Sequence, residues 1–400
     1  MARIEIDSTR SVNRDRLLRL LRVHGQMARI DLARLVGLSP ATVSAISSEL
    51  LQNGLVREVE ADDDSDANGS RGRGRPKVMI DLVARTACII AVKLSINEIQ
   101  VALGDFSGGV SETESTAIET RTLSAAELVR AMGDAIADFH ARHTTGYGPC
   151  LGIGIAVQGL VRSVETLVWS PALAARDVNI VRPLAGRFGL PVVMMNDANS
   201  IASAVRNRAR FHDVENLAVV MLGTGVGMGL ILGGHLYDGS TGAAAEFGHS
   251  KFQIDGPLCM CGKRGCIESY VADYALHRDA RIMFGLPAVN VQHPSESEMR
   301  AISDLADGGD ERAQKLFEQA GRVLGCGIGN LIALVSPDLV LVTGPGVRAY
   351  RHLEAGLRHG LSEAMVETLL THTRIEPLPW QEDLALRGVV GLVLDRVPAP

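Results

Sequence analysis

Four hundred residues, 46% of them apolar and 22% charged, exceed what one small core requires and exclude a disordered chain, so two or three compact units are expected. No apolar run approaches the ~20 residues needed to span a bilayer, and the charged start Met1-Ala2-Arg3-Ile4-Glu5 lacks the apolar core of a secretory leader, which points to the cytoplasm. Net charge is −6, yet residues 1 to 80 hold 13 basic and 11 acidic side chains while the remaining 320 carry −8, so the front is the better partner for a polyanion.

In chain order, the first predicted helix spans Val12 to Val23, where Leu17, Leu18, Leu20 and Leu21 recur at helical spacing and His24-Gly25 stops the pattern. A second is expected from about Arg29 to Val36, burying Ile30, Leu32, Ala33 and Leu35, with Gly37-Leu38-Ser39 as the turn. Ser39 is the expected N-cap of a third helix, which takes Pro40 in its first turn, where a missing N–H is harmless, and runs to about Asn53-Gly54. Its buried stripe reads as Val43, Ile46, Leu50 and Leu51, leaving Ala41, Thr42, Ser44, Ala45, Ser47 and Ser48 outward. Small uncharged side chains let a helix sink into a major groove, and in a helix-turn-helix the start of the second helix of the pair meets base edges. Ser39, Pro40, Ala41, Thr42, Ser44 and Ser48 are therefore candidate contacts to operator DNA; the competing reading is a plain helical or dimerisation cap.

Leu55 to Val59 alternates like a strand and Val78 to Leu82 like its return partner, a wing around a polar loop. Within the loop, Arg71-Gly72-Arg73-Gly74-Arg75-Pro76-Lys77 contains Arg-Gly-Arg-Pro, the core of the AT-hook pattern. Arg71, Arg73 and Arg75 are candidates for a narrow A·T minor groove, against a flexible basic linker. Asp62-Asp63-Asp64-Ser65-Asp66 reads as a solvated wing tip.

Beyond Asp81 the chain alternates as an α/β body: strands at Cys88 to Val92, Glu98 to Asp105 and Leu151 to Val157, with a helix from about Ser124 to Arg142. Leu217 to Gly227 reads as strand, glycine turn and second strand, similar to the phosphate-gripping hairpins of two-lobed actin-like folds. Cys88, Cys150 and Cys326 stand alone in apolar stretches and read as core. His249, Cys259, Cys261 and Cys266 form a tetrad suited to one tetrahedral Zn2+ per chain, with no position left for water, hence a structural ion. Gly262 and Gly265 permit the knuckle that brings the sulfurs together.

Gly223-Thr224-Gly225-Val226-Gly227, Glu246-Phe247-Gly248-His249 and Cys259-x-Cys261-x4-Cys266-x-Glu268 resemble the signature of the ROK family, which joins sugar kinases to sugar-responsive repressors. Gly152 to Val161 and Asn196-Asp197-Ala198-Asn199 also fall where that family places them, and the winged helix-turn-helix marks its repressor branch. The resemblance implies a DNA-binding unit at 1–80 and a ribonuclease H-like, actin-like body whose lobes lie at 81–195 and 196–400, with about 380–400 returning to the first. It also implies a sugar in the cleft, met by Asn196, Asp197, Glu246, His249 and Glu268, with His249 serving both zinc and sugar. Trp169-Ser170-Pro171 and Gln158-Gly159 are further candidates for that pocket.

In the family's kinases the residue matching Asp197 is the general base, and the body's first strand ends in Asp-x-Gly-x-Thr, which holds ATP phosphates and magnesium. Here the matching stretch is Lys93-Leu94-Ser95-Ile96-Asn97, so no catalytic residue is expected and Asp197 binds instead. The expected function is repression of carbohydrate uptake or catabolism genes, with a hexose, an N-acetylhexosamine or xylose as effector. The alternative is a sugar kinase with an appended DNA domain. A homodimer or a dimer of dimers is expected, since one helix-turn-helix reads too few base pairs, and the helices at Ala313 to Leu334 and near Leu353 to Leu370 are candidates for its interface.

Overall fold

A computed structural model describes residues 2–60, 78–162, 165–242, 244–287, 293–366 and 372–400. Helix α1 (Ala2–His24) starts well before the expected Val12, and Leu17, Leu18, Leu21 and Val23 are buried along it. A short strand β1 (Met27–Ala28) leads into α2 (Arg29–Val36), which stops at Gly37 with φ 73°. The inner face of α2 is Leu32, Ala33 and Val36; Ile30 and Leu35, expected inside, are 50% and 52% exposed. In a helix of eight residues the i, i+4 pair Leu32 and Val36 fixes the phase, and Ile30 and Leu35 fall on either flank of that arc. Helix α3 (Pro40–Gln52) is capped by Ser39, whose Oγ accepts from Thr42 N at 3.1 Å. Val43, Ile46 and Leu50 are buried as expected, but Ser47 joins them while Leu51 is half-buried, because 43, 46, 47 and 50 are the positions that share one helical face.

Strands β2 (Val56–Glu60) and β3 (Val78–Leu82) pair antiparallel, Val56 opposite Leu82, and β1 adds to the other edge of β3. The loop between them, with Asp62 to Asp66 and Arg71, Arg73 and Arg75, lies outside the described residues.

The body opens with β4 (Cys88–Ser95), β5 (Glu98–Asp105) and β6 (Val110–Ala117). Helix α4 (Ala125–His143) follows, its start fixed by a capping box between Ser124 and Glu127. Then come β7 (Cys150–Val157), the short strands β8 (Leu160–Arg162), β9 (Thr166–Trp169) and β10 (Val178–Asn179), α5 (Val181–Phe188) and β11 (Val192–Asn196). The first five-stranded sheet has the order β11-β7-β4-β5-β6. Helix α6 (Asp197–Arg206) leads to β12 (Leu217–Leu222), β13 (Val226–Leu232) and β14 (His235–Leu236). Helices α7 (Glu268–Val271), α8 (Asp273–Met283), α9 (Glu296–Asp307) and α10 (Glu311–Val335) precede β15 (Leu339–Thr343), α11 (Tyr350–Ala364), β16 (Arg374–Pro377) and α12 (Leu384–Arg396). The second sheet has the order β14-β13-β12-β15-β16. The helix expected to reach Leu370 ends at Ala364, where Met365 turns extended.

The C-terminal helix α12 packs on α6 and on the first sheet. Contact is backbone-close: a Cβ at Gly388 would lie 1.9 Å from Ser200 O, and one at Gly154 would lie 2.7 Å from Val389 O. Helix α1 rests on the same region. Arg19 pairs with Asp395 at 3.0 Å, Arg22 Nε donates to Phe106 O at 3.2 Å with its guanidinium 5.0 Å over the Phe106 ring, and His24 meets His212 edge-on at 5.7 Å. Burial lowers the Arg22 pKa to about 10, so the group stays charged at neutral pH. No helix among the described residues is long and apolar enough to cross a membrane.

Candidate functional site

Strand β11 passes into α6 without a loop, because Asn196 ends the one and caps the other. Its Oδ1 accepts from Ala198 N at 2.8 Å and Asn199 N at 3.3 Å, and its Nδ2 donates to Gly159 O at 2.7 Å. Asp197 is thereby held at the first helical position, 7% exposed, its Oδ1 accepting from Ala198 N at 2.9 Å. Burial raises its pKa to about 6; Lys93 and the backbone N–H groups oppose the rise, and Glu246 adds to it.

Glu246 precedes the single turn Phe247–His249, and Glu268 opens α7. Glu268 Oε2 accepts from Val226 N at 3.1 Å, while Oε1 accepts from Cys259 Sγ at 3.3 Å. His249 Nε2 stands 3.9 Å from Glu246 Oε2. Burial raises the Glu246 pKa, His249 opposes the rise and Glu268 adds to it. Asn196, Asp197, Glu246, His249 and Glu268 line one cavity of about 110 Å3 between the sheets, together with Gln158, Gly159, Trp169 and Pro171. Ser170 is turned away: it is buried, with its Oγ accepting from Ala172 N at 3.1 Å.

A second space, about 400 Å3, shares Asp197 and Thr224 with the first and extends along Lys93, Ser95, Ile96 and Asn97. On β4 the charged group facing it is an ammonium. Besides Asp197, its acids are Asp273 and Glu296, both engaged by Arg348, the latter at 3.1 Å. Asp273 N in turn donates to Gly223 O at 2.8 Å and pins the Gly223-Thr224-Gly225 turn.

Below the first cavity, the ligand atoms of His249, Cys259, Cys261 and Cys266 all lie within 4.8 Å of one another. Cys259 Sγ is 3.7 Å from His249 Nδ1, and Cys261 Sγ is 3.8 Å from Cys266 Sγ. Thiolates about 2.3 Å from one tetrahedral ion stand about 3.8 Å apart, so this donor set fits a metal ion held through Nδ1 and three sulfurs. Gly265 (φ 71°) makes the knuckle possible: a Cβ there would overlap Gln253 O at 1.4 Å. Lys251, which sequence reasoning missed, donates from Nζ to Cys266 Sγ at 3.0 Å, and that bond raises the lysine pKa. Lys251 sits opposite Cys266 in an antiparallel bridge that no local spacing announces. His293, which lines both cavities, was also missed.

On α3, Ser39, Pro40, Ala41, Thr42, Ser44 and Ser48 are all exposed. The hydroxyls of Ser39 and Thr42 bond each other at 2.8 Å, and Ser48 donates back to Ser44 O at 2.9 Å. The Ser44 hydroxyl is the one of the four not engaged within the helix, among the described residues.

Residues 89–396 match the ROK family and residues 11–65 the MarR family. The chain is 24% identical to the xylose repressor of Bacillus subtilis (strain 168), over 96% of each sequence. It is 27% identical to the DNA-binding transcriptional dual regulator NagC of Escherichia coli (strain K12), over 85% of this chain and 82% of that one. Among solved structures, a ROK family transcriptional regulator, a homolog of the E. coli MLC protein, superposes with TM-score 0.78 at 23% identity, covering 97% of both chains. A ROK family glucokinase from Streptomyces griseus, in complex with glucose and AMPPNP, superposes with TM-score 0.62 at 27% identity over 76% of this chain and 98% of that one. The chain belongs to the ROK family and consists of a MarR-type winged helix-turn-helix followed by the family's two-lobed actin-like body.

Proposed function

We propose that this chain is a sugar-responsive transcriptional repressor, in which α3 reads operator DNA and a sugar in the interlobe cleft changes operator affinity. The observation that carries this reading is the asymmetry around Asp197: one side keeps a polar cavity of carboxylates, amide and imidazole, while the other carries Lys93 where a kinase of this family needs a magnesium-side carboxylate. Asn196, Asp197, Glu246, His249 and Glu268 are the proposed sugar contacts. Relatives named xylose repressor and NagC support a repressor over a kinase and make xylose and N-acetylglucosamine the first sugars to try, with glucose beside them. His249, Cys259, Cys261 and Cys266 would hold one zinc ion, whose part is structural: it fixes the ring orientation of His249 and the knuckle behind Glu268.

Ser39, Pro40, Ala41, Thr42, Ser44 and Ser48 are the proposed base-facing surface, with Arg71, Arg73 and Arg75 reaching the minor groove. A two-fold dimer would present two such surfaces to paired half-sites. The sugar must bind two arrangements of the chain unequally, because equal affinity shifts nothing. Calorimetric titration with xylose, glucose and N-acetylglucosamine tests the reading. One of them is expected to bind, with binding lost in Glu268→Ala and operator affinity lowered when it is bound. ATP-dependent turnover of a sugar that disappears in Asp197→Asn would establish the kinase instead.

A further inference from the structure

A cavity of about 510 Å3 lies on the other side of α6 from the interlobe cleft, and Asn196 lines both. Asn199, Ser203 and Arg206, spaced i, i+4 and i+7 along α6, form one wall. Arg19 of α1 and Asp395 of α12 close it from the DNA-binding side. Its size suits a small-molecule site.

Three of the side chains here keep polar atoms without a partner among the described residues. Asn199 is 6% exposed, and its Oδ1 accepts no hydrogen bond. Nε and Nη1 of Arg206 are buried without an acceptor; Asp213 and Glu215 act on this guanidinium from beyond ion-pair distance. His212 keeps a buried Nδ1 without a partner. Two acids face the cavity: Asp395, already engaged by Arg19 at 3.0 Å, and Asp238. A poorly compensated guanidinium and an unmet amide oxygen are both unfavourable, and once these two lining side chains turn toward the cavity one kind of guest relieves both: an anionic head for Arg206 and a hydroxyl donor for Asn199.

We propose that this cavity is a second effector site for a small hydroxylated anion, a sugar phosphate or a hydroxycarboxylic acid. A guest there touches α1, α6 and α12 together and so sets how the DNA-binding end is held on the body. That consequence for DNA rests on the repressor reading; the binding does not.

Calorimetric titration of the full chain with ribose 5-phosphate, citrate and inorganic phosphate tests the site. Ribose 5-phosphate or citrate is expected to bind once per chain, and whichever binds assigns the class; inorganic phosphate, without a carbon-borne hydroxyl, is expected to bind at least tenfold more weakly. Affinity should fall at least tenfold in Arg206→Gln and in Asn199→Asp, which brings a carboxylate into the cavity at constant size. It should persist in Glu268→Gln, which alters the cleft. The site is overturned if neither organic anion binds at millimolar concentration, if both cavity variants bind as the parent does, or if Glu268→Gln abolishes binding. Circular dichroism checks folding, and Asn199→Asp decides if Arg206→Gln does not fold. Operator binding is followed in parallel by fluorescence anisotropy: anion binding that leaves operator affinity unmoved keeps the site and overturns its link to DNA.

Discussion

Asp197 carries a cost that the fold tolerates in order to keep a carboxyl in the cleft. Its folded pKa, about 6, lies above the ordinary value of 3.8, so ionisation is harder in the folded chain than in the unfolded one. The cost is complete above about pH 6 and vanishes as pH falls below about 4. Asp197→Asn removes it, so the variant should be more stable than the parent by on the order of 3 kcal/mol at pH 8, the gap closing towards pH 4. Urea denaturation at a series of pH values measures this, and a gap independent of pH would falsify the burial argument. Lys251 offers a second test at this scale. Groups that bond to metal ligands are worth about 10–100-fold in metal affinity, so, on the proposal that the cluster holds zinc, Lys251→Met loaded with the ion should yield it to a chromogenic chelator at roughly tenfold lower chelator concentration. The cluster of His249, Cys259, Cys261 and Cys266 was legible in the sequence because its members lie in one short stretch with a spacing suited to a metal ion. Lys251 was not, since its role depends on a bridge that only the folded backbone forms.

Among the elements, those with a strong local signal were read closely: the Ser39 cap, the extent of α4 and the apolar runs of β4, β5 and β7. Strand β6 escaped because Val110-Ser-Glu-Thr-Glu-Ser-Thr-Ala117 has no apolar alternation; it is an edge strand specified by its partner β5. Helix phase failed in α2, where eight residues fix it poorly, and in α3 the small Ser47 was taken for surface. Helices α10 and α11 carry glycines that no hydrophobic periodicity explains, and the structure does. A Cβ at Gly325 would lie 2.1 Å from Leu357 O, and one at Gly356 would lie 1.9 Å from Glu318 O, so the two backbones touch. The faces through which these helices meet are thus spent within the chain, and any dimer contact must use their other sides. Gly325→Val should cost about 3 kcal/mol in chemical unfolding, because backbone rather than a mobile side chain blocks the methyl groups. Ser39→Ala should cost about 1 kcal/mol through the lost cap.

At the scale of the whole molecule, sequence reasoning found the parts of the body but not the way α12 joins them to α1. Ser200 Oγ donates to Ala385 O at 2.6 Å across 185 positions of sequence, a separation over which no pattern carries information. The contact completes a route from Asp197 at the head of α6, through α12 and its Asp395, to Arg19 on α1, a helix that Arg22 also seats on the Phe106 turn. Arg22→Gln weakens the last step while leaving the cleft intact. Sugar affinity by calorimetry should stay within about twofold of the parent, while the sugar-induced change in operator affinity shrinks by at least tenfold, on the order of 1.4 kcal/mol of coupling. Unchanged coupling would place the route elsewhere. The burial of Arg22 against the Phe106 turn also limits how such a chain can be recombined. A reading head spliced onto a foreign sensor brings along a guanidinium shaped for one particular carbonyl and ring, so a working chimaera must transplant the Phe106 turn and the end of α12 with it. The inheritable unit is the joint, not the domain.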